Sequence, residues 1–340
     1  MTGDARKPRA RIWLWLALML ALGAGLRYMT QMPGGSHAGL LPPLSPTEAE
    51  LRGRLAGHIG VLAGEIGERN LWHYEALKAS ADYIERAFQA MGYRVASQPY
   101  VVQGKTVRNL EATLPGAAAS DEIVVIGAHY DSVVDSPGAN DNASGVAALL
   151  EIARLLAQEK PARSVRFVAF VNEEPPFFYT QEMGSRVYAR RARERGEKIV
   201  AMLSLETIGY YTDARGSQRY PFPFSLFYPD TANFIGFVGN LASRELAQAC
   251  VASFRSRAAF PSEGLAAPGW MEGISWSDQW SFWQEGYPAI MVTDTAPYRY
   301  EHYHARTDTP DKIEYERLAR VVAGLARVVL DLAAKVEKKQ

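Results

Sequence analysis

The chain has 340 residues, with 37 Lys and Arg balanced by 37 Asp and Glu, enough for one large globular domain or two small ones. Zero formal charge offers no basic face, so nucleic acid is not an expected partner. A single cysteine, Cys250, excludes an intramolecular disulfide and a thiolate zinc site, and reads as a small buried hydrophobe on an apolar helical face. Any metal must be held by His and carboxylates.

At the amino terminus, Arg6, Lys7, Arg9 and Arg11 precede an uncharged, Leu-rich run over residues 12–26 that includes Trp13 and Trp15. A basic segment before an apolar one keeps the amino terminus cytoplasmic and exports the downstream chain. The run falls short of the roughly 20 residues that span a bilayer, but Tyr28, Met29 and Met32 extend it past Arg27. Residues 1–30 are therefore read as a signal anchor, which makes the membrane a partner and places the main domain in the periplasm or outside the cell. The alternative is a cleaved signal peptide, marked by the small residues Ala21, Gly23 and Gly25, and a secreted domain. Residues 31–47 contain Gly34-Gly35 and Pro42-Pro43. Those residues break both periodicities, so the segment reads as a linker with no face to bury. The main domain then occupies residues 48–340.

From Thr47, apolar positions Leu51, Leu55, Ile59 and Leu62 keep to helical spacing. A second helix over residues 74–91 is stopped by Gly92. Residues 93–102 and 106–114 alternate and read as an antiparallel strand pair joined around Gly104. A buried strand starting at Ile123 ends in Gly127-Ala128-His129-Tyr130-Asp131. After a Pro/Gly loop, Asp141 opens a helix that continues over residues 146–156. Residues 165–171 form another buried strand, ending in Asn172-Glu173-Glu174. A basic helix over residues 186–195 presents a solvated face. A third apolar strand over residues 199–205 ends in Glu206. A strand over residues 234–238, a helix over 241–254, a strand over 289–292 and an amphipathic helix over 315–336 complete the pattern. Strands alternating with helices predict an α/β domain with a mainly parallel, mixed central sheet flanked by helices. There is no internal repeat.

In open α/β sheets, ligands collect at the carboxyl ends of the strands. Three successive predicted strands end there in His129, Glu173-Glu174 and Glu206, while Asp141 opens a helix and His304 precedes the last one. His with carboxylates is a ligand set that suits zinc, though it also admits cobalt or manganese. Two adjacent carboxylates repel unless something positive neutralises one, so one of Glu173 and Glu174 can ligate while the other serves as base. Asp131, two residues after His129, is placed to fix that imidazole from its other nitrogen.

These residues resemble the co-catalytic zinc exopeptidase family that includes bacterial leucyl-type aminopeptidases, glutamate carboxypeptidase and the glutaminyl cyclases. The matching elements are Gly127-Ala-His129-Tyr-Asp131-Ser132, Pro137-Gly-Ala-Asn-Asp141-Asn-Ala-Ser-Gly145, Asn172-Glu173-Glu174, Glu182-Met-Gly184-Ser185, Leu205-Glu206-Thr-Ile-Gly209, Ser277-Asp278, and His304 with Asp308-Thr309 after it. They occur in the family's order over about residues 90–335. The resemblance implies a zinc-exopeptidase-like fold and two zinc ions bridged by Asp141. His129 and Glu206 would complete one site and Glu174 and His304 the other, with Glu173 as general acid/base and Asp131 assisting. It also implies hydrolysis of peptides with a free amino terminus, or alternatively glutaminyl cyclisation or carboxypeptidase action. The family commonly carries Asp at the Glu206 position, and His after Ser-Asp where this chain has Gln279. His302 competes with His304, whose spacing to Asp308-Thr309 fits the family better. The loop Pro175-Pro176-Phe177-Phe178-Tyr179 reads either as a substrate-pocket wall or as a hydrophobic loop packed on its own domain. Trp270, Trp276, Trp280 and Trp283 are expected mostly in the core.

Overall fold

The computed structural model describes residues 7–117 and 119–334. Its strands are β1 (Val95–Val102), β2 (Lys105–Leu114), β3 (Ala119–His129), β4 (Arg163–Phe170), β5 (Lys198–Glu206), β6 (Ile235–Asn240), β7 (Ser262–Ala267) and β8 (Ala289–Thr293). Its helices are α1 (Lys7–Thr30), α2 (Pro46–Ile59), α3 (Tyr74–Ala90), α4 (Gly145–Leu156), α5 (Gly184–Glu194), α6 (Arg244–Arg257), α7 (Gln279–Gln284) and α8 (Tyr315–Ala333). The last predicted residues of the closing helix, 335 and 336, and Arg6 of the basic segment lie outside the described residues.

The strands pair in one sheet, in the order β1-β2-β4-β3-β5-β8-β6-β7. Pairing is parallel through β4-β3-β5-β8 and between β6 and β7. It is antiparallel for β1-β2, β2-β4 and β6-β8. This is the mixed α/β sheet that the strand-helix alternation predicts. Strands buried on both faces read as near-continuous apolar runs. In β3, Val124, Ile126 and Ala128 face the main core with Leu149 and Ile152 of α4 and Val322 and Val329 of α8. Ile123 and Val125 face the opposite layer with Tyr188 of α5 and Phe282 of α7. The chain leaves β3 for β4 on one side and reaches β5 on the other. That reversal opens a crevice at the carboxyl end of β3.

Local signals explain several boundaries. Ser45 caps α2 by accepting from the Glu48 amide, while the Glu48 carboxylate accepts from the Ser45 amide, a reciprocal capping box next to Pro46. The β1-β2 turn places Gln103 and Gly104 at φ 48° and 77°, as a tight two-residue hairpin requires. Helix α1 is longer than the predicted apolar run. Its segment Arg11–Thr30 is long and apolar enough to cross a membrane and is mostly exposed before its final turn.

Two expectations are corrected, and one strand is found that the sequence does not announce. Residues 31–47 do bury a face: Met32 and Leu41 pack on the main core. Arg255 donates to the Pro33 and Gly34 carbonyls at 2.9 and 3.1 Å, and Ser36 Oγ accepts from the Ser262 amide at 2.9 Å. Those partners lie more than two hundred residues away, so no local pattern reveals them. Of the four tryptophans near Asp278, Trp283 packs on the core and donates its N–H to the Ala289 carbonyl at 2.9 Å, but Trp270 and Trp276 are exposed and Trp280 is half-buried. Their ring partners are at the surface, with Trp280 against Tyr179 and Trp276 stacked on Tyr298. Strand β7 escapes prediction because Ser-Glu-Gly-Leu-Ala-Ala lacks β-branched residues and does not alternate. Cys250 is fully buried in α6, as expected.

One ionic cluster joins α2 to α4 beneath the sheet. Glu151 is fully buried and accepts from Arg54 Nε at 2.9 and 3.0 Å, Arg154 Nε at 2.7 Å and His58 Nε2 at 3.1 Å. Burial alone would raise its pKa, but His58, Arg154 and Arg54 outweigh it and hold the carboxyl below its ordinary value. A lowered native pKa gives stability that is complete above the ordinary carboxylate range and is lost as pH falls through the native value. Glu151→Ala is expected to lower unfolding free energy at pH 7 by about 3 kcal/mol. Urea denaturation of both proteins should show the difference shrinking as pH falls below the ordinary glutamate value of 4.5.

Candidate metal centre

Each strand that ends in the crevice delivers its side chains from a fixed register. β3 ends at His129, β5 ends at Glu206, and Glu173 and Glu174 come just after β4. Gly127 lets the Phe170 ring lie against β3, since a Cβ there would sit 2.4 Å from Phe170 Cε2. Asp141 comes from the turn before α4, whose first residue, Gly145, allows close approach to the sheet: a Cβ there would sit 2.6 Å from the Leu205 carbonyl oxygen. His304 arrives from the loop before α8, with φ 56° and Tyr303 stacked on its ring at 3.9 Å.

The seven residues singled out in the sequence meet there. His129 Nε2 lies 3.3 Å from Asp141 Oδ1 and 3.3 Å from Glu206 Oε2. His304 Nε2 lies 3.1 Å from Asp141 Oδ2 and 3.3 Å from Glu174 Oε2. The two oxygens of Asp141 thus face separate imidazole and carboxylate pairs. Glu173 Oε2 lies 3.9 Å from His129 Nε2. Glu206 spans the reach that a shorter Asp would cover differently, and Ser277 Oγ holds it by donating to Oε2 at 2.7 Å. His302 is elsewhere engaged, with Nδ1 at 2.8 Å from Thr307 Oγ1.

Asp131 does more than its spacing suggests. The nearest acceptor to His129 Nδ1 is the Asp131 carbonyl oxygen at 3.2 Å, while the carboxylate lies at 3.5 Å. That carboxylate accepts the amides of Glu173 and Glu174, each at 3.1 Å. It therefore sets the backbone from which both glutamates project.

The charges of this cluster do not balance without a cation. Carboxylates of Asp131, Asp141, Glu173, Glu174, Glu206 and Asp278 are all buried around two imidazoles. Burial, with repulsion from Glu206, Glu174 and Asp278, pushes Glu173 well above its ordinary value despite His129. Burial and Asp141 push Glu174 up to about 7 against the pull of His304. Burial opposes charge on His304, but Asp141 and Glu174 raise it to about 11. His129 Nε2 and Asp141 Oδ1 are buried without a hydrogen-bond partner and face one another. His129, Asp141 and Glu174 offer donor atoms within 4.8 Å of one another, a group able to hold a metal ion. Buried atoms without partners and carboxylates converging on two imidazoles form a donor set that suits zinc.

Residues 109–329 match Peptidase family M28. The chain belongs to that family. M28 membership makes it a zinc metallopeptidase by family. The Uncharacterized protein YfbL of Escherichia coli (strain K12) is 40% identical over 292 residues, covering 83% of this chain and 88% of that one. A Probable zinc metalloprotease of Pyricularia oryzae is 34% identical over 169 residues, 45% of this chain and 32% of that longer protein. Among solved structures, the zinc aminopeptidase BSAP of Bacillus subtilis aligns with TM-score 0.67 at 16% identity, over 85% of this chain and 96% of that one. Fimbriiglobus ruber glutaminyl cyclase aligns with TM-score 0.60 at 20% identity, over 87% and 98%. These two likenesses establish an aminopeptidase-like fold.

Two supports of the M28 site are hidden or understated in the sequence. Asp308 accepts the amides of Asn140 and Asp141 at 2.8 and 3.0 Å and the Tyr300 hydroxyl at 2.7 Å, fixing the turn that carries Asp141. Its place in the motif is visible, but its role is not. Arg69 is fully buried and donates to the carbonyls of Tyr130, Gly138 and Pro137. Burial lowers its pKa to about 10 against several site carboxylates. No local pattern distinguishes it from a surface arginine.

Gln279 is buried beside Asp278, with its amide nitrogen donating to the Ile274 carbonyl. Asp278 is also fully buried, and burial pushes it up to about 7 although His129 and the Ser185 hydroxyl pull it down. The Pro175–Tyr179 loop divides between its two readings: Phe177 is buried under Trp72, while Phe178 and Tyr179 stack outward toward Trp280. Asp131→Asn is expected to weaken zinc binding by about 10–100-fold, since an amide cannot accept both glutamate N–H groups equally. Competition against a zinc-chelating dye would measure it, and unchanged affinity would remove Asp131 from the support of the site.

Proposed function

We propose that this chain is a di-zinc aminopeptidase. The observation that carries the reading is Asp141, whose two oxygens address His129 with Glu206 on one side and His304 with Glu174 on the other. When bound, zinc ions supply Lewis acidity and acidify water. Glu173, the remaining carboxylate of the cluster, takes the proton from the attacking water and returns it to the leaving amine. Asp131 holds Glu173 in place through its amide, and Tyr303 holds His304 by stacking on its ring.

Substrate polarity is argued from the cavity that opens beside Glu206. Its walls include Tyr220, Phe224, Val238, Ile274, Trp276 and Tyr303; besides Glu206 its acids are Glu272, which is exposed, and Glu263, which lies 3.6 Å from Arg255, with no Lys or Arg among the lining residues. An apolar, acid-edged cavity suits a substrate with an α-ammonium group and an apolar first side chain, and repels an α-carboxylate. This favours the aminopeptidase over the carboxypeptidase.

The apolar segment Arg11–Thr30 supports a retained membrane anchor that leaves the domain outside the cytoplasm. Glutaminyl cyclisation is the second reading, favoured by the structural likeness to Fimbriiglobus ruber glutaminyl cyclase.

Glu173→Gln is expected to retain zinc and lower kcat on amino-acid anilides by about 10²–10⁴-fold; wild-type turnover in the variant would exclude Glu173 as the base. For the wild-type protein, metal analysis should return two zincs per chain, and a chelator should abolish cleavage. Peptides with a free amino terminus should be cut and amino-terminally blocked ones left intact. One zinc with pyroglutamate formation from amino-terminal Gln would instead establish the cyclase.

A further inference from the structure

Where α1 enters the domain, it is clamped. Met29 packs against the cluster of Phe224, Ala267 and Ile274, which Tyr220, Tyr228 and Met271 also join. The Tyr28 carbonyl accepts from Arg244 Nε at 2.8 Å, and the Arg244 guanidinium lies 4.1 Å from the Tyr28 ring centroid. The Gln31 carbonyl accepts from Gln248 at 3.1 Å. Met32 fits against Gly264 of β7, where a Cβ would sit 2.8 Å from Met32 Cγ. The final turn of α1 is therefore fixed to α6 and to β7, the edge strand of the sheet.

The loops that receive Met29 expose large apolar side chains beside it. Phe222 is 83% exposed, Leu226 72% and Trp270 85%, with Phe227 at 46%. Phe222 and Leu226 flank Phe224 in the chain, and Trp270 adjoins Met271, so all are chain neighbours of one buried cluster. Scattered apolar residues at a surface are ordinary, but a contiguous patch marks a contact. Here the exposed side chains belong to the loops that receive Met29, at the end of a helix with the length and composition of a membrane span. Aromatic side chains concentrate at the membrane-water boundary, and Tyr28 marks that level on α1.

We propose that Phe222, Leu226, Phe227 and Trp270 seat in the bilayer surface from which α1 emerges, so that the domain rests on lipid by its β7 edge. This rests on the retained anchor proposed above. Because Tyr220, Pro221 and Phe224 also line the cavity beside Glu206, seating these loops holds the cavity mouth at the membrane surface.

The test uses the full chain reconstituted in phosphatidylethanolamine and phosphatidylglycerol vesicles. Cys250 is buried, so a thiol-reactive fluorophore reports selectively on Phe222→Cys, Trp270→Cys, Leu18→Cys and Val101→Cys, one per protein. Val101 is 66% exposed on β1, at the opposite edge of the sheet, and serves as the aqueous reference. Labels at 222 and 270 should be quenched by lipid-borne nitroxide and shielded several-fold from iodide relative to 101, with 18 shielded as well. If 18 is shielded while 222 and 270 quench with iodide as 101 does, the anchor stands and the seating is wrong. If 222 and 270 are shielded from iodide but untouched by the lipid nitroxide, a protein covers the patch and the proposal fails. If 18 is open to iodide, the anchor reading fails and the seating falls with it.

Discussion

Asp141 is a carboxylate buried between two imidazoles, and a charge in that position persists only if both oxygens face positive partners. Much of the surrounding architecture serves that requirement. Asp308 fixes the Asp141 amide, and Arg69 ties down the carbonyls of the preceding loop. Strand β3 brings His129 to one oxygen, and the loop before α8 brings His304 to the other. Burial and mutual repulsion among Glu173, Glu174 and Glu206 raise the cost of leaving the crevice without a cation. The same arrangement that would be unstable as a hydrogen-bond network is well suited to metal.

How legible each part is in the sequence depends on the type of signal. Apolar runs ending in His or Glu reveal β3, β4 and β5 with their functional ends, because a strand buried on both faces leaves a continuous pattern. The helices α3, α4 and α8 are legible from period and terminators such as Gly92. The motif order brings the metal residues into one list, and the crevice brings the same residues into one place. Strand β7 leaves no pattern, since a small-residue edge strand is defined by its neighbours more than by its own side chains. Arg69 and the docking of residues 31–47 are illegible for a related reason: their partners are backbone carbonyls or distant arginines, which no spacing rule encodes. Trp270, Trp276 and Trp280 mislead because size argues for burial, whereas here these indoles face solvent and other rings.

The segment expected to be a flexible tether instead has a structure of its own. Arg244 and Arg255 of α6 grip the carbonyls of Tyr28, Pro33 and Gly34, turning a Pro/Gly-rich stretch into an extension of the sheet's edge. Backbone groups with fixed donors lose the freedom that composition alone implies. The orientation of α1 relative to the domain is thus a property of the fold.

The division of labour along the chain has a consequence for descent. The carboxylates and imidazoles come mainly from the segments that end β3, β4 and β5, whereas the cavity walls come from residues after Glu206, on loops around β6, β7 and β8. Glu206 belongs to both. Replacement of Tyr220, Phe224 or Trp276 therefore changes the cavity wall while leaving the candidate metal residues in place. A lineage built on this plan could change its cavity walls without changing most of the candidate metal residues, the exception on the cavity side being His304 with Tyr303 stacked on it.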